Sequence, residues 1–108
     1  MGGIIHVVQL SFKPEVDSKK IDELTAGLAA LKDQCVHPST GDLYVQSVRV
    51  GADNSIERFQ NGFTHMMVME FKSSEDRDYY VKSDPAHLAF VAGLLPSVKG
   101  LQVLDIDA

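Results

Sequence analysis

Residues 4–12, IIHVVQLSF, constrain the fold more than any other stretch of the chain. The segment alternates with a period of two, the spacing of an extended strand. His6, Val8, Leu10 and Phe12 fall on one face, and Ile5, Val7, Gln9 and Ser11 on the other. Both faces are apolar near the start, so the strand calls for cover on both sides. Pro14 ends it. Two further segments read the same way: 43–50, LYVQSVRV, and 63–71, FTHMMVMEF, with a break over Gly51–Ser55. Phe63, His65, Met67, Met69 and Phe71 share one face of the latter. Residues 101–106, LQVLDI, predict a last strand.

Two helical patterns separate these strands. Asp17 or Ser18 can cap a helix whose apolar stripe is Ile21, Leu24, Leu28 and Leu31. Ala26, Ala29 and Ala30 favour it, and it should end near Gln34, before a loop over residues 37–41. Ser73 or Ser74 caps a second, with Glu75 and Asp76 at the positive end of its dipole. That helix breaks near Ser83 and restarts at Asp84-Pro85, a good cap followed by a good first helical residue. Gly93, Pro96 and Gly100 end it.

The order β-α-β-β-α-β predicts an α+β, ferredoxin-like antiparallel sheet with helices on one face. The other face carries Ile5, Val7, Met66 and Val68. A bare apolar sheet face of this kind predicts a homodimer packed sheet against sheet.

Composition narrows the function classes. A chain of 108 residues, 44% hydrophobic, reads as one domain over 1–108. No apolar run approaches the ~18 residues of a membrane span, and MGGIIHVVQL has no basic segment of a signal peptide. The single Cys35 excludes an intrachain disulfide and a Cys-rich zinc site, which fits a reducing, cytoplasmic setting. A net charge of −5, with no basic cluster beyond Lys19-Lys20, argues against nucleic acid and anionic membrane as partners. The histidine spacing matches no metal motif and no glycine-rich phosphate loop is present, so neither metal nor cofactor is expected.

His87, in the first turn after Asp84, is the most informative titratable residue. The positive end of a helix disfavours imidazolium, and a neutral imidazole can accept a proton. Tyr80 stands seven residues earlier, and the break at 83–85 can fold it towards His87. A Tyr–His pair is a workable acid–base unit. The same spacing also fits a histidine that packs the turn and a tyrosine that fills the core. His6 and His65 sit on apolar strand faces, near opposite ends of an antiparallel pair. Val8, Leu10, Met67 and Met69 could line an apolar pocket or fill a core. His37 reads as a solvated loop residue.

The opening IIHVVQLSFKP, the strand GFTHMMVMEFKS, the segment DPAHLAFV and the ending VKGLQVLDID together resemble the stress-responsive dimeric α/β barrel family, olivetolic acid cyclase-like proteins among it. The resemblance covers nearly the whole chain. It implies a protomer that pairs into a dimeric barrel. It implies a cofactor-free cyclase- or lyase-type enzyme, or a binder, for a small, carbonyl-rich, polyketide-like apolar molecule. Tyr80 and His87 match the family's acid–base pair, and His6 and His65 its strand histidines. A pocket tyrosine of the cyclase falls at Leu28, and one extra residue separates Tyr80 from DPAH. With Val8, Leu10 and Met67 these complete the expected substrate-binding set. The same family also holds stable, non-catalytic stress proteins, and the related barrels include cofactor-independent monooxygenases.

Overall fold

A computed structural model describes residues 2–108. The elements run β1 (Ile4–Phe12), α1 (Ser18–Ala30), β2 (Val45–Ala52), β3 (His65–Phe71), α2 (Ser74–Lys82), α3 (Pro85–Leu94) and β4 (Val98–Asp107). The sheet order is β2-β3-β1-β4, and every neighbouring pair is antiparallel. This is the ferredoxin-like arrangement, with three helices and four strands.

The local signals explain most boundaries. The Asp17 carboxylate accepts the Lys20 N–H and opens α1. Ser73, not Ser74, caps α2 through the Asp76 N–H. The second helical pattern divides fully into two helices. The Ser83 and Asp84 N–H groups both bond the Tyr79 carbonyl and close α2, and the Asp84 side chain then takes the Ala86 N–H to open α3. α1 ends at Ala30 and a 3-10 turn over Leu31–Asp33 completes it.

Several strand ends differ from the periodic pattern. β2 starts at Val45, because Leu43 bridges back to Val36. It reaches Ala52, which pairs with His65. β3 starts at His65, because the Phe63 N–H turns back to the Gln60 carbonyl. β4 starts at Val98, paired with Phe12 across an irregularity at Ser11/Phe12. Gly100 lies there, where an added Cβ would stand 3.0 Å from Ser11 Oγ.

The core lies between the sheet and the helices. Leu10, Leu31, Cys35, Met67, Met69, Phe71 and Tyr80 are almost wholly buried within it. Gly27 on α1 lets α3 approach: a Cβ there would lie 2.3 Å from Phe90 Cε1. The opposite face is less covered than the strand pattern suggests. Ile5 and Val7 are half-buried rather than enclosed, and Leu104 and Ile106 beside them are 60% and 63% exposed. On the helix side, Leu101 and Val103 of β4 are also exposed, so the helices stop short of that edge. Among the described residues, no helix is long and apolar enough to cross a membrane.

Two glycines give opposite expectations. Gly27→Ala forces the Phe90 ring aside and should cost about 1–3 kcal/mol in urea unfolding. Gly93→Ala meets open space in α3 and should add roughly 0.5–1 kcal/mol through helix propensity.

Candidate functional site

The break between α2 and α3 sets His87 against Tyr80. Their rings stack at 3.9 Å between centroids, with planes 27° apart. The hydrogen bond, however, runs to the backbone: His87 Nδ1 lies 2.8 Å from the Tyr80 carbonyl oxygen. A carbonyl only accepts, so Nδ1 carries the proton and Nε2 keeps its lone pair. Burial lowers the His87 pKa below the usual histidine value, and nearby His6 acts in the same direction. The Tyr80 carbonyl and Asp84 pull the other way. Burial is thus the first cause of its neutrality. Burial pushes the Tyr80 hydroxyl well above the usual tyrosine range, with Cys35 and Asp84 adding to the effect.

His6 completes this cluster from the sheet side. Its ring meets Tyr80 edge to face, with centroids 5.9 Å apart. Register places it opposite Asp105 of β4. His6 Nδ1 lies 2.7 Å from Asp105 Oδ1, and Arg77 Nη1 donates to Asp105 Oδ2 at 2.8 Å. The carboxylate thus orients the imidazole through Nδ1, and among the described residues Nε2 has no hydrogen-bond partner. Sequence reasoning missed Asp105 and Arg77. Asp105 reads as an ordinary late-strand residue, and only the β1–β4 register connects it to His6.

The other expected residues divide. Val8, Leu10, Leu28 and Met67 are buried members of the core cluster. Neither the larger nor the smaller cavity described below is lined by them, nor by Tyr80 or His87. His65 pairs with Leu10, four rungs from His6 opposite Met69, so the two histidines stay apart as the spacing implied. His65 packs edge-on to Phe12 and bonds Thr64 Oγ1 at 2.8 Å. A cavity of about 800 Å³ lies over the outer sheet face and the 53–63 segment, with Arg49, Phe59, His65, Met66 and Val68 in its wall.

A second polar cluster lies towards β2. Tyr44 donates to Asp84 Oδ2 at 2.5 Å, both groups buried. Burial first, then Asp84, drives the Tyr44 hydroxyl far above its ordinary range, and burial lifts the Cys35 thiol to about 12. His37 is half-buried beside Tyr44 and Tyr79, not solvated as its loop position suggested. Its wall of a cavity of about 230 Å³ is shared with Asp76. Among the described residues, no group of three or more His, Cys, Asp or Glu is arranged to hold a metal ion.

The model of the stress responsive A/B barrel domain matches residues 4–108. The chain belongs to the stress-responsive A/B barrel family. This family member is 34% identical, over 104 residues, to the stress-response A/B barrel domain-containing protein HS1 of Arabidopsis thaliana, covering 96% of this chain and 88% of that one. The crystal structure of At3g17210 from Arabidopsis thaliana superposes with a TM-score of 0.84 at 32% identity, over 97% of this chain and 94% of that one. Hydroxynitrile lyase from Passiflora edulis shares the fold with a TM-score of 0.83 at 24% identity, over 96% and 91% of the two chains. So does a dimeric ferredoxin-like protein from Jannaschia sp. CCS1, at 0.79 and 22%, over 99% and 100%.

The buried groups give this A/B barrel protein a two-sided pH profile. His87 has a lowered folded pKa, so its contribution is complete above the unfolded value of 6.5 and is lost as pH falls. Tyr44, Tyr80 and Cys35 have raised folded values, so theirs is complete below their unfolded values of 9.0 to 10.0 and is lost as pH rises. Thermal melting should be highest between about pH 7 and pH 8.5. Tyr44→Phe should flatten the alkaline limb and His87→Gln the acid limb.

Proposed function

We propose that this stress-response A/B barrel protein acts, without a cofactor, as a cyclase- or lyase-type acid–base catalyst on a small, apolar, carbonyl-bearing molecule. The observation that carries the reading is the convergence of His6, Tyr80 and His87, with both imidazoles oriented through Nδ1. His87 Nε2 takes a proton from the carbon beside the carbonyl. The Tyr80 hydroxyl donates to the carbonyl oxygen as enolate charge develops there, a role that suits a phenol kept protonated by burial. His6, held by Asp105 and Arg77, offers Nε2 to a second polar atom of the substrate. The enolate carbon then attacks another carbonyl of the same substrate molecule, whose oxygen takes the proton held on His87 Nε2, or it takes that proton back itself. The entry this reading requires lies along β4, where Leu101 and Val103 stand uncovered on the His6 side of the sheet. Leu28, Val8, Leu10 and Met67 belong to the buried core beneath the helices.

A non-catalytic, stabilising role has one specific observation in its favour: the His87 hydrogen bond goes to backbone, beside a densely filled core. Proton–deuterium exchange at the central carbon of a small β-diketone, followed by NMR in D₂O, separates the two readings. Catalysis predicts exchange above the buffer rate, falling roughly 10²–10⁴-fold in a folded His87→Ala variant. Exchange at the buffer rate in the wild type, or unchanged in the variant, leaves only the stabilising role.

The assembly we infer is a homodimer packed through the outer sheet face. Leu104 and Ile106 widen the apolar patch of Ile5, Val7, Met66 and Val68, and Ile56 and Phe59 project from the 53–62 segment at 94% and 79% exposure. Side chains so exposed are costly to leave in water and fit a partner surface. The description of the Jannaschia relative as dimeric supports this reading. Sedimentation should give twice the 11.8 kDa chain mass, and the double variant Leu104→Asp/Ile106→Asp should sediment as a monomer. A monomeric wild type overturns the assembly.

A further inference from the structure

Tyr44 and Asp84 are buried polar side chains to which the proposed chemistry gives no part. Tyr44 precedes β2, where the Val36–Leu43 bridge and the bond from the His37 N–H to the Asp42 carbonyl fix the backbone. Its ring stacks on Phe71 of β3, with centroids 6.2 Å apart, and meets Tyr79 edge to face at 5.7 Å. Its hydroxyl donates to Asp84 Oδ2. Asp84 Oδ1 takes the N–H of Ala86, the residue before His87. A phenol packed on the sheet is thus joined, through one carboxylate, to the first turn of α3. Capping α3 needs only the first of these oxygens, and a Ser or Asn would serve. The second oxygen, bonded to a residue 40 positions away, adds nothing to the cap and fixes the orientation of the carboxylate instead.

We propose that Tyr44 is a positioning residue for His87: acting through Asp84, it holds the break between α2 and α3 at the angle from which Nδ1 reaches the Tyr80 carbonyl and Nε2 faces the substrate. Tyr80 belongs to α2 and His87 to α3, so the 2.8 Å bond between them depends on that angle. The bond sets the tautomer, and with it the lone pair on Nε2. Phe71 gives anchor and site a common floor, because Tyr44, Tyr80 and His6 all pack on its ring. The inference rests on the acid–base reading of His6, Tyr80 and His87, and adds to it a residue that touches none of the reacting atoms. A fixed imidazole matters there because small misplacements of a catalytic group are costly in rate.

The test reads the His87 tautomer in the ¹⁵N-labelled protein at about pH 8, where long-range ¹H–¹⁵N spectra separate the two neutral imidazoles. Beside it runs the maximal exchange rate of pentane-2,4-dione in D₂O. The wild type should show the Nδ1–H form alone. Tyr44→Phe removes the hydroxyl, and Asp84→Ser keeps a cap but is too short to reach Tyr44. Each should give mixed tautomers and a maximal rate about tenfold lower, at little-changed half-saturation. Asp84→Asn, whose oxygen can cap α3 while its amide N–H meets the Tyr44 oxygen, should keep the tautomer and stay within about threefold of the wild-type rate. The double variant Tyr44→Phe/Asp84→Ser should lose no more than either single one, because both act through one link. If Tyr44→Phe loses its dispersed spectrum, the Asp84→Ser and Asp84→Asn pair decides. The proposal fails if the wild type already mixes tautomers, if a folded Tyr44→Phe or Asp84→Ser keeps the single tautomer or changes it without slowing exchange, or if Asp84→Asn loses as much as Asp84→Ser. A wild type that exchanges only at the buffer rate overturns the acid–base reading, and the tautomers then decide alone whether Tyr44 sets the imidazole.

Discussion

Everything in this molecule is referred to the register of β1 between its two neighbours. With β3 on one side and β4 on the other, His6 stands between Met69 and Asp105, and Val8 between Met67 and Val103. A slip of one residue would exchange the two faces of the strand, sending His6 and Leu10 to the outside and Ile5 and Val7 to the core. The fully buried Leu10, Met67 and Met69 oppose such a slip, because their apolar surface would return to water. The same pairing that builds the core therefore also delivers the imidazole to its carboxylate.

Polar groups are admitted to this core only where they are joined to something. Asp84 divides its oxygens between the Tyr44 hydroxyl and the Ala86 N–H. His6 is held through Asp105 and Arg77. His87 is held by a carbonyl that belongs to the very tyrosine it stacks on. Asp76 is the departure: among the described residues, its buried Oδ2 has no hydrogen-bond partner. A buried group with unused hydrogen-bonding capacity costs stability.

Much of the architecture was legible in the sequence because alternation and capping are local. The period-two runs mark four strands, and Asp17, Ser73 and Asp84-Pro85 mark the helix starts. The errors at strand ends came from pairing, which is not local: the Val36–Leu43 bridge delays β2, and the Phe12–Val98 pair advances β4. The same division holds for the site. Tyr80 and His87 were visible as neighbours because seven residues and one helix break separate them. Asp105 was not visible, since it lies 99 residues from the histidine it holds. His37 read as a solvated loop residue because nothing in its own segment announces that Tyr44 and Tyr79 will close around it.

Asp84 has a mechanical consequence. One oxygen is tied to the loop that carries Tyr44, the other to the first turn of the helix that carries His87. The carboxylate is therefore a hinge pin common to two regions with no wall residue in common. Losing that one carboxylate would release the Tyr44 loop and uncap the helix of His87 in a single step.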